Sequence, residues 1–237
     1  MNSSLLSTFN EEYLGLNEAC ICDGIRLCQC QYRDMPLNKK YFYPVIAAIC
    51  QGMNVISCSP KLGRTQQRHL CDSIDFEGFR AGLLPGHCVL PDCEPVYMDR
   101  MFLAERCMNS CEYGAKLDCP DETDGKAACC DKNHQIEYRY LDEYRKYIAL
   151  MNGDVIGYCK VSDVIAGYGN FVVFVDEAHR RKGIAQRLVR SMIQTCLENK
   201  ITPMYLVRIT NLASLSLAKK AGFQVLQREL VFCHRII

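Results

Sequence analysis

The stretch NFVVFVDEAHRRKGIAQRLVRSMIQTCLENK, residues 170 to 200, decides how the second half of this chain folds. Asn170 to Val175 is an apolar, β-branched and aromatic run of strand length. From about Lys182 to Asn199 the apolar positions Ile184, Leu188, Val189, Met192, Ile193, Cys196 and Leu197 follow the three-to-four spacing of one buried helical face. A strand therefore runs through a short basic turn, Arg180-Arg181-Lys182-Gly183, into an amphipathic helix that opens with Ile184 and Ala185. Such a turn is a ready anion site. The first amides of a helix lack intrahelical acceptors, and the helix dipole is positive at that end. Gly183 lets the backbone approach a ligand, Ala185 is small for the same reason, and the three cations suit a diphosphate.

Outward from this stretch, Tyr147–Met151 and Val155–Val161 read as the arms of a hairpin across Asn152-Gly153-Asp154. Downstream, Pro203 precedes a strand over Met204–Ile209. A second helix spans about Ala213–Ala221 and stops at Gly222, and 224–236 reads as one or two strands. The expected order is three strands, helix, strand, helix, strand.

Two segments here resemble the signatures of the GNAT superfamily of acyl-CoA-dependent N-acetyltransferases. R-x-x-G-x-A at Arg180–Ala185 is similar to its diphosphate-binding motif, with Val173-Phe174-Val175 as the preceding strand. Asn211 to Phe223, NLASLSLAKKAGF, resembles its second signature: an asparagine, then a helix ending in Gly-Phe. The resemblance covers about residues 138–237. It implies an α/β fold with a mixed, mostly antiparallel sheet flanked by helices, and transfer of an acetyl group from acetyl-CoA to a small-molecule or peptide amine in a ternary complex. The implied cofactor contacts are Val173, Phe174, Val175, Arg180, Arg181, Lys182, Gly183, Ile184, Ala185 and Asn211. An amide near Val175 would face the thioester oxygen. Two positions depart from the family pattern. Glu177 stands where proline is common, and Ala218 where a tyrosine often protonates the leaving thiolate, which leaves Ser214, Ser216 or water as the donor. No catalytic residue is assigned; Asp163, Asp176, Glu177 and His179 are the nearest groups able to accept a proton from the amine.

The first half reads differently. Of 17 cysteines, 14 precede residue 135. We place a boundary there, with a Cys-rich α/β region of unassigned role over 1–135 and the acetyltransferase domain over 136–237. Leu37–Gln51 reads as a helix, Asn54–Cys58 as a short strand with a new element starting at Ser59-Pro60, Met98–Met108 as another helix, and Asp118–His134 as a polar loop. Cys20, Cys22, Cys28 and Cys30 form C-x-C-x5-C-x-C. Cys88, Cys93, Cys107, Cys111, Cys119, Cys129, Cys130 and His134 form a looser group. Neither has two clean C-x2-C knuckles, so no bound metal is expected.

With 28 basic and 27 acidic residues the formal net charge is +1, and no general electrostatic attraction to nucleic acid or membrane follows. Met1–Gly15 has neither the basic nor the apolar region of a targeting signal. A cytoplasmic location and reduced cysteines are expected. The alternatives are an acyl-CoA-binding regulatory module without activity and a zinc-binding interaction protein.

Overall fold

A computed structural model describes residues 3–36, 41–83, 90–108, 128–131 and 136–235. In chain order they form helix α1 (Ser3–Leu14) and strands β1 (Cys20–Cys22), β2 (Ile25–Gln29), β3 (Tyr41–Cys50) and β4 (Met53–Cys58). Helices α2 (Arg64–Ser73) and α3 (Phe76–Ala81) follow, then strand β5 (Cys93–Leu103) and the short helix α4 (Glu105–Met108). Next come β6 (Ala128–Asp131), β7 (Ile136–Leu141), β8 (Lys146–Met151), β9 (Asp154–Ile165) and β10 (Tyr168–Val175). The chain continues through α5 (Ile184–Glu198), β11 (Thr202–Arg208), α6 (Leu212–Lys220) and β12 (Phe223–Arg235). The class is α/β, with mostly antiparallel strands flanked by helices. Among the described residues no helix is long and apolar enough to cross a membrane.

Two compact units make up the chain. The first comprises Met1–Arg100, Val207–Thr210 and Val225–Ile237, and the second Met101–Leu206 and Asn211–Gln224. These units cut the chain differently from the division at residue 135. Their limits follow strand pairing, and β12, the last strand, returns most of its length to the first unit. Residue 135 falls between β6 and β7, which pair with each other as a hairpin from Ala128↔Arg139 to Asp131↔Ile136.

In the first unit the strand order is β1-β2-β4-β3-β12-β5. Alternation along β3 and β4 sends Val45, Ala47, Ile56 and Cys58 to one face, where they pack with Leu70, Cys71 and Ile74 around α2 and with Phe76 and Phe79 of α3. A polar cluster is buried in the same unit. Arg100 forms a two-pronged ion pair with Glu229 through Nε and Nη2, the latter at 2.9 Å. Gln227 donates to Glu229 at 3.0 Å, and Asn10 of α1 donates to Gln227 at 2.9 Å. The Arg100 guanidinium lies 4.3 Å from the ring centre of Tyr13 and 5.0 Å from that of Phe9.

The second unit has the order β11-β10-β9-β8-β7-β6, with β10 and β11 parallel and the other pairings antiparallel. Helix α5 buries Ile184, Leu188, Val189, Met192, Ile193 and Cys196 against β8, β9 and β10. Tyr147 and Thr195 tie β8 to α5 through their hydroxyls at 3.1 Å. Each element expected after residue 146 is present within a few residues, and 224–236 is one strand, not two.

Three readings of the first half are corrected. The segment read as a helix over Leu37–Gln51 contains β3, which pairs with β4 from Val45↔Cys58 to Cys50↔Met53 and with β12 from Tyr41↔Arg235 to Ala48↔Glu229. Its β-branched and aromatic residues, with Pro44 inside, favour an extended chain covered on both faces. Likewise β5 extends to Leu103, and only Glu105–Met108 of the expected second helix is helical. Within the segment read as a loop, Ala128–Asp131 is a strand.

Candidate functional site

Strand β10 loses one of its two neighbours partway along. On one side it pairs with β9 along its length, from Tyr168↔Ile165 to Val175↔Gly157. On the other it pairs with β11 only over Tyr168–Asn170, against Thr202–Met204. The amide of Asp176 donates to the carbonyl of Ile156 at 2.9 Å, which fixes the alternation of the antiparallel pair. Backbone groups of Val172 and Phe174 face β9, and those of Phe171, Val173 and Val175 face the other side, which β11 leaves after the Phe171 amide. Val175 accepts Arg180 Nε at 3.1 Å on its carbonyl. Val173 is the central rung of this opened edge. The side chain of Phe174 is 43% exposed and lies against Tyr158, ring centres 5.6 Å apart. Buried rings back the opening: Phe171, Tyr205 and Phe223 are mutually packed at 5.3–6.0 Å.

Past Val175 the chain turns through Arg181 and Gly183, both left-handed at φ 62° and 79°, into α5. The first intrahelical bond is Arg187 N–H to Gly183 C=O at 3.0 Å. The amides of Ile184, Ala185 and Gln186 thus precede any intrahelical bond, and no side chain caps this end. By contrast, Asp75 caps α3, and Asn211 caps α6 by accepting the Ser214 amide at 3.1 Å. A Cβ at Gly183 would meet nothing within 4 Å, so the space over the helix start is open. Arg181 and Lys182 are exposed, while Arg180 is folded back on Val175 and braces the turn. These features fit an anionic diphosphate lying over α5 with an extended arm entering the gap in β10.

The same local sequence of elements occurs in the first unit without the gap. There β4 runs through Ser59–Gly63 into α2, but β2 pairs with it in parallel from Ile25↔Asn54 to Gln29↔Cys58, and β3 pairs with the other edge. No rung of β4 is open. The start of α2 is also occupied, since Gln66 Oε1 accepts the Gly63 amide at 3.0 Å. A strand and a glycine-led helix are common to both places, but among the described residues the strand that feeds the helix keeps both neighbours at β4 and loses one at β10.

The acid–base candidates divide by exposure. Asp176 and Glu177 are exposed at the end of β10, and His179 is half-buried with Nδ1 lacking a partner among the described residues. The Asp163 side chain lies outside the described residues. Burial pushes the Cys196 thiol up to about 12 and the Cys159 thiol well above its ordinary value, so both stay neutral and neither is an acyl-accepting nucleophile. Ser214 is half-buried and Ser216 exposed on α6. Ala218 is fully buried. A tyrosine there would have to displace its neighbours, and Ala218→Tyr is expected to lower stability by about 1–3 kcal/mol, read as a lowered Tm. An unchanged Tm would show that the position has room for the missing phenol.

Cys20, Cys22, Cys28, Cys58 and Cys71 lie near one another in the first unit, with Cys22 and Cys71 in hydrogen-bond reach. Cys20 is exposed, Cys28 is buried, and buried Cys30 donates its thiol to the Tyr13 carbonyl at 3.3 Å. Among the described residues no group of three or more Cys, His, Asp or Glu side chains could hold a metal ion. Cys88, Cys111, Cys119 and His134 lie outside the described residues, as do the side chains of Cys129 and Cys130.

Sequence reading located the basic turn but not Asn170, whose side chain sits where β10 and β11 part. A polar amide inside the run YGNFVVFV was the available signal.

Residues 112–223 match the Acetyltransferase (GNAT) family. Among solved structures, a GNAT-family acetyltransferase from Colwellia psychrerythraea is similar over 99% of this chain and 97% of its own, at 10% identity and TM-score 0.45. A putative GNAT-family acetyltransferase from Novosphingobium aromaticivorans is similar over 62% of this chain and 69% of its own, at 13% identity and TM-score 0.41. A putative acetyltransferase from Salmonella typhimurium, yncA, solved with its cofactor acetyl-CoA, is similar over 42% of this chain and 65% of its own, at 18% identity and TM-score 0.32. No curated protein is significantly similar to the chain.

Proposed function

We propose, from the match of residues 112–223 to the Acetyltransferase (GNAT) family, that the protein transfers the acetyl group of acetyl-CoA to the amine of a small molecule or peptide. The observation that carries this reading is the opened edge of β10 beside the uncapped, glycine-led start of α5.

Acetyl-CoA brings an activated acetyl group; the chain's part is to bind, orient and manage protons. The amides of Gly183, Ile184 and Ala185 donate to the diphosphate, and Arg181 and Lys182 supply charge. Arg180 acts at one remove, by holding the turn against Val175. The backbone of Val173 and Val175 offers an extended arm the pairing that β11 does not, while Phe174 keeps that edge in place through β9 and presents its ring at the surface. An amide of this edge donates to the thioester carbonyl oxygen as negative charge develops there. Asn211 caps the helix bordering the same site. The amine acceptor must lose a proton before attack, and Asp176, Glu177 and His179 are the groups at hand. In this reading attack is direct, in a ternary complex, and the thiols of Cys159 and Cys196, pushed up by burial, are poor acyl acceptors.

Acetyl-CoA at 100 times its Kd is expected to stabilise the protein by about 2.7 kcal/mol, a rise in Tm of roughly 5–11 °C. Acetylated product should appear by mass spectrometry for one member of a panel of polyamines, aminoglycosides, amino acids and peptide N-termini. No thermal shift at millimolar acetyl-CoA would sink the reading. A shift without any product would favour the second reading, a regulatory acyl-CoA-binding module, for which buried Ala218 in place of tyrosine is the motivating observation.

A further inference from the structure

We infer that the side chain of Asn170 is the pin that holds β10 and β11 apart and so keeps the cofactor slot open before anything binds. The inference rests on the acetyl-CoA reading only for what enters the slot.

The parallel ladder advances by two residues per rung. Thr202 N–H donates to the Gly167 carbonyl at 2.8 Å, and the pairing continues to Asn170↔Met204. The next donor on β11 is Leu206 N–H, and its next acceptor in an unbroken ladder is the carbonyl of Phe171. Leu206 N–H instead donates to Asn170 Oδ1 at 3.0 Å. The side chain thus takes over a rung of the ladder. The half-buried Leu206 amide is satisfied, and the Phe171 carbonyl and the outward backbone groups of Val173 and Val175 stay clear of β11. The amide is itself held. The register of β10 against β9 shifts between Gly169 and Phe171, at this residue. Ser162 of β9 donates to the Asn170 carbonyl at 3.0 Å, and Asn170 Nδ2 reaches Ser162 Oγ at 3.4 Å. A bulge fixed on one side and an intercepted rung on the other place the fork at this residue.

Asn170 is therefore a positioning residue. Leucine has nearly its shape but no acceptor, so in Asn170→Leu the Leu206 amide must find the Phe171 carbonyl, and β11 closes onto β10. Aspartate keeps the acceptor. Two ligands separate slot from turn: acetyl-CoA, whose arm needs the slot, and 3′-phospho-ADP, the nucleotide end of coenzyme A, which needs only the turn at α5.

Asn170→Leu is expected to raise the Kd of acetyl-CoA about tenfold or more while moving that of 3′-phospho-ADP by less than about twofold, and Asn170→Asp to restore most of the loss. Amide hydrogen exchange reads the pin without a ligand. In the wild-type protein the Leu206 amide is protected and the Val173 amide exchanges fast; in Asn170→Leu the Val173 amide becomes protected as the ladder extends. Equal weakening of both ligands, no weakening, or unchanged exchange at Val173 would each overturn the pin. If the wild-type protein binds neither ligand while the exchange pattern behaves as stated, the acetyl-CoA reading fails and the pin stands.

Discussion

Replacing Gly183 with glutamate is expected to weaken acetyl-CoA binding by more than about a hundredfold. Three effects act together. Gly183 sits at φ 79°, where a residue with a Cβ is strained by about 1–3 kcal/mol. Among the described residues nothing beyond the chain neighbours and the helix's own backbone lies within 4 Å of the added Cβ, so the side chain projects into the open space over α5. In the proposed function that space receives the diphosphate at the amides of Ile184 and Ala185, and a carboxylate there competes for the same donors and repels the same charge. The fold should survive with Tm lower by a few degrees, because the position is an exposed turn. Gly183→Ala separates the terms, since it adds the backbone strain without the charge, and a loss of less than about tenfold is expected. Titration calorimetry on both variants makes the measurement. Glutamate binding as tightly as glycine would show that the turn at α5 does not hold the diphosphate.

The largest effect on stability is expected at Glu229, far along the sequence from Arg100. Both are fully buried, and the carboxylate accepts two prongs from the guanidinium and a further bond from Gln227. Burial alone would lower the proton affinity of Arg100; the facing carboxylate of Glu229 outweighs it and holds Arg100 above its ordinary value, so the guanidinium is charged throughout the working pH range. Glu229→Ala leaves the guanidinium in a dry interior without its carboxylate partner. Removal of one partner from such a pair costs about 3–5 kcal/mol, a large share of the stability of an ordinary domain. The double replacement Arg100→Met with Glu229→Leu should recover most of the loss, since it removes the stranded charge as well. Urea unfolding followed on the first unit tests this. A single variant as stable as wild type, or a double variant no better than the single, would contradict the assignment.

What could be read from the sequence followed the range of the interactions involved. Helix α5 was legible because its partners are written into its own period, Ile184, Leu188, Val189, Met192, and the basic turn because an anion site at a helix start is local chemistry. Strand β3 was not. YFYPVIAAIC carries no period-two pattern, because both of its faces are buried, and what makes it a strand is pairing with β12, whose register joins Ala48 to Glu229. Strand β5 was misread for the same reason, an apolar run whose partners are remote. The candidate site divides likewise. The residues proposed to hold a diphosphate announce themselves in the motif, whereas the slot exists because β10 and β11 stop pairing after Asn170, and a missing partner leaves no mark in composition or spacing.

The way the last strand is shared also sets a timetable for synthesis. The first unit needs residues 225–237, so its first hundred residues leave the ribosome well before their partner in β12 is made. The intervening 125 or so residues take roughly 6–25 s at 5–20 residues per second. During that interval β3 has an unpaired edge, and Arg100 has no Glu229. The second unit, whose segments end at Gln224, is complete earlier. The earlier unit in the sequence therefore depends on whatever shields an open strand edge until β12 is made.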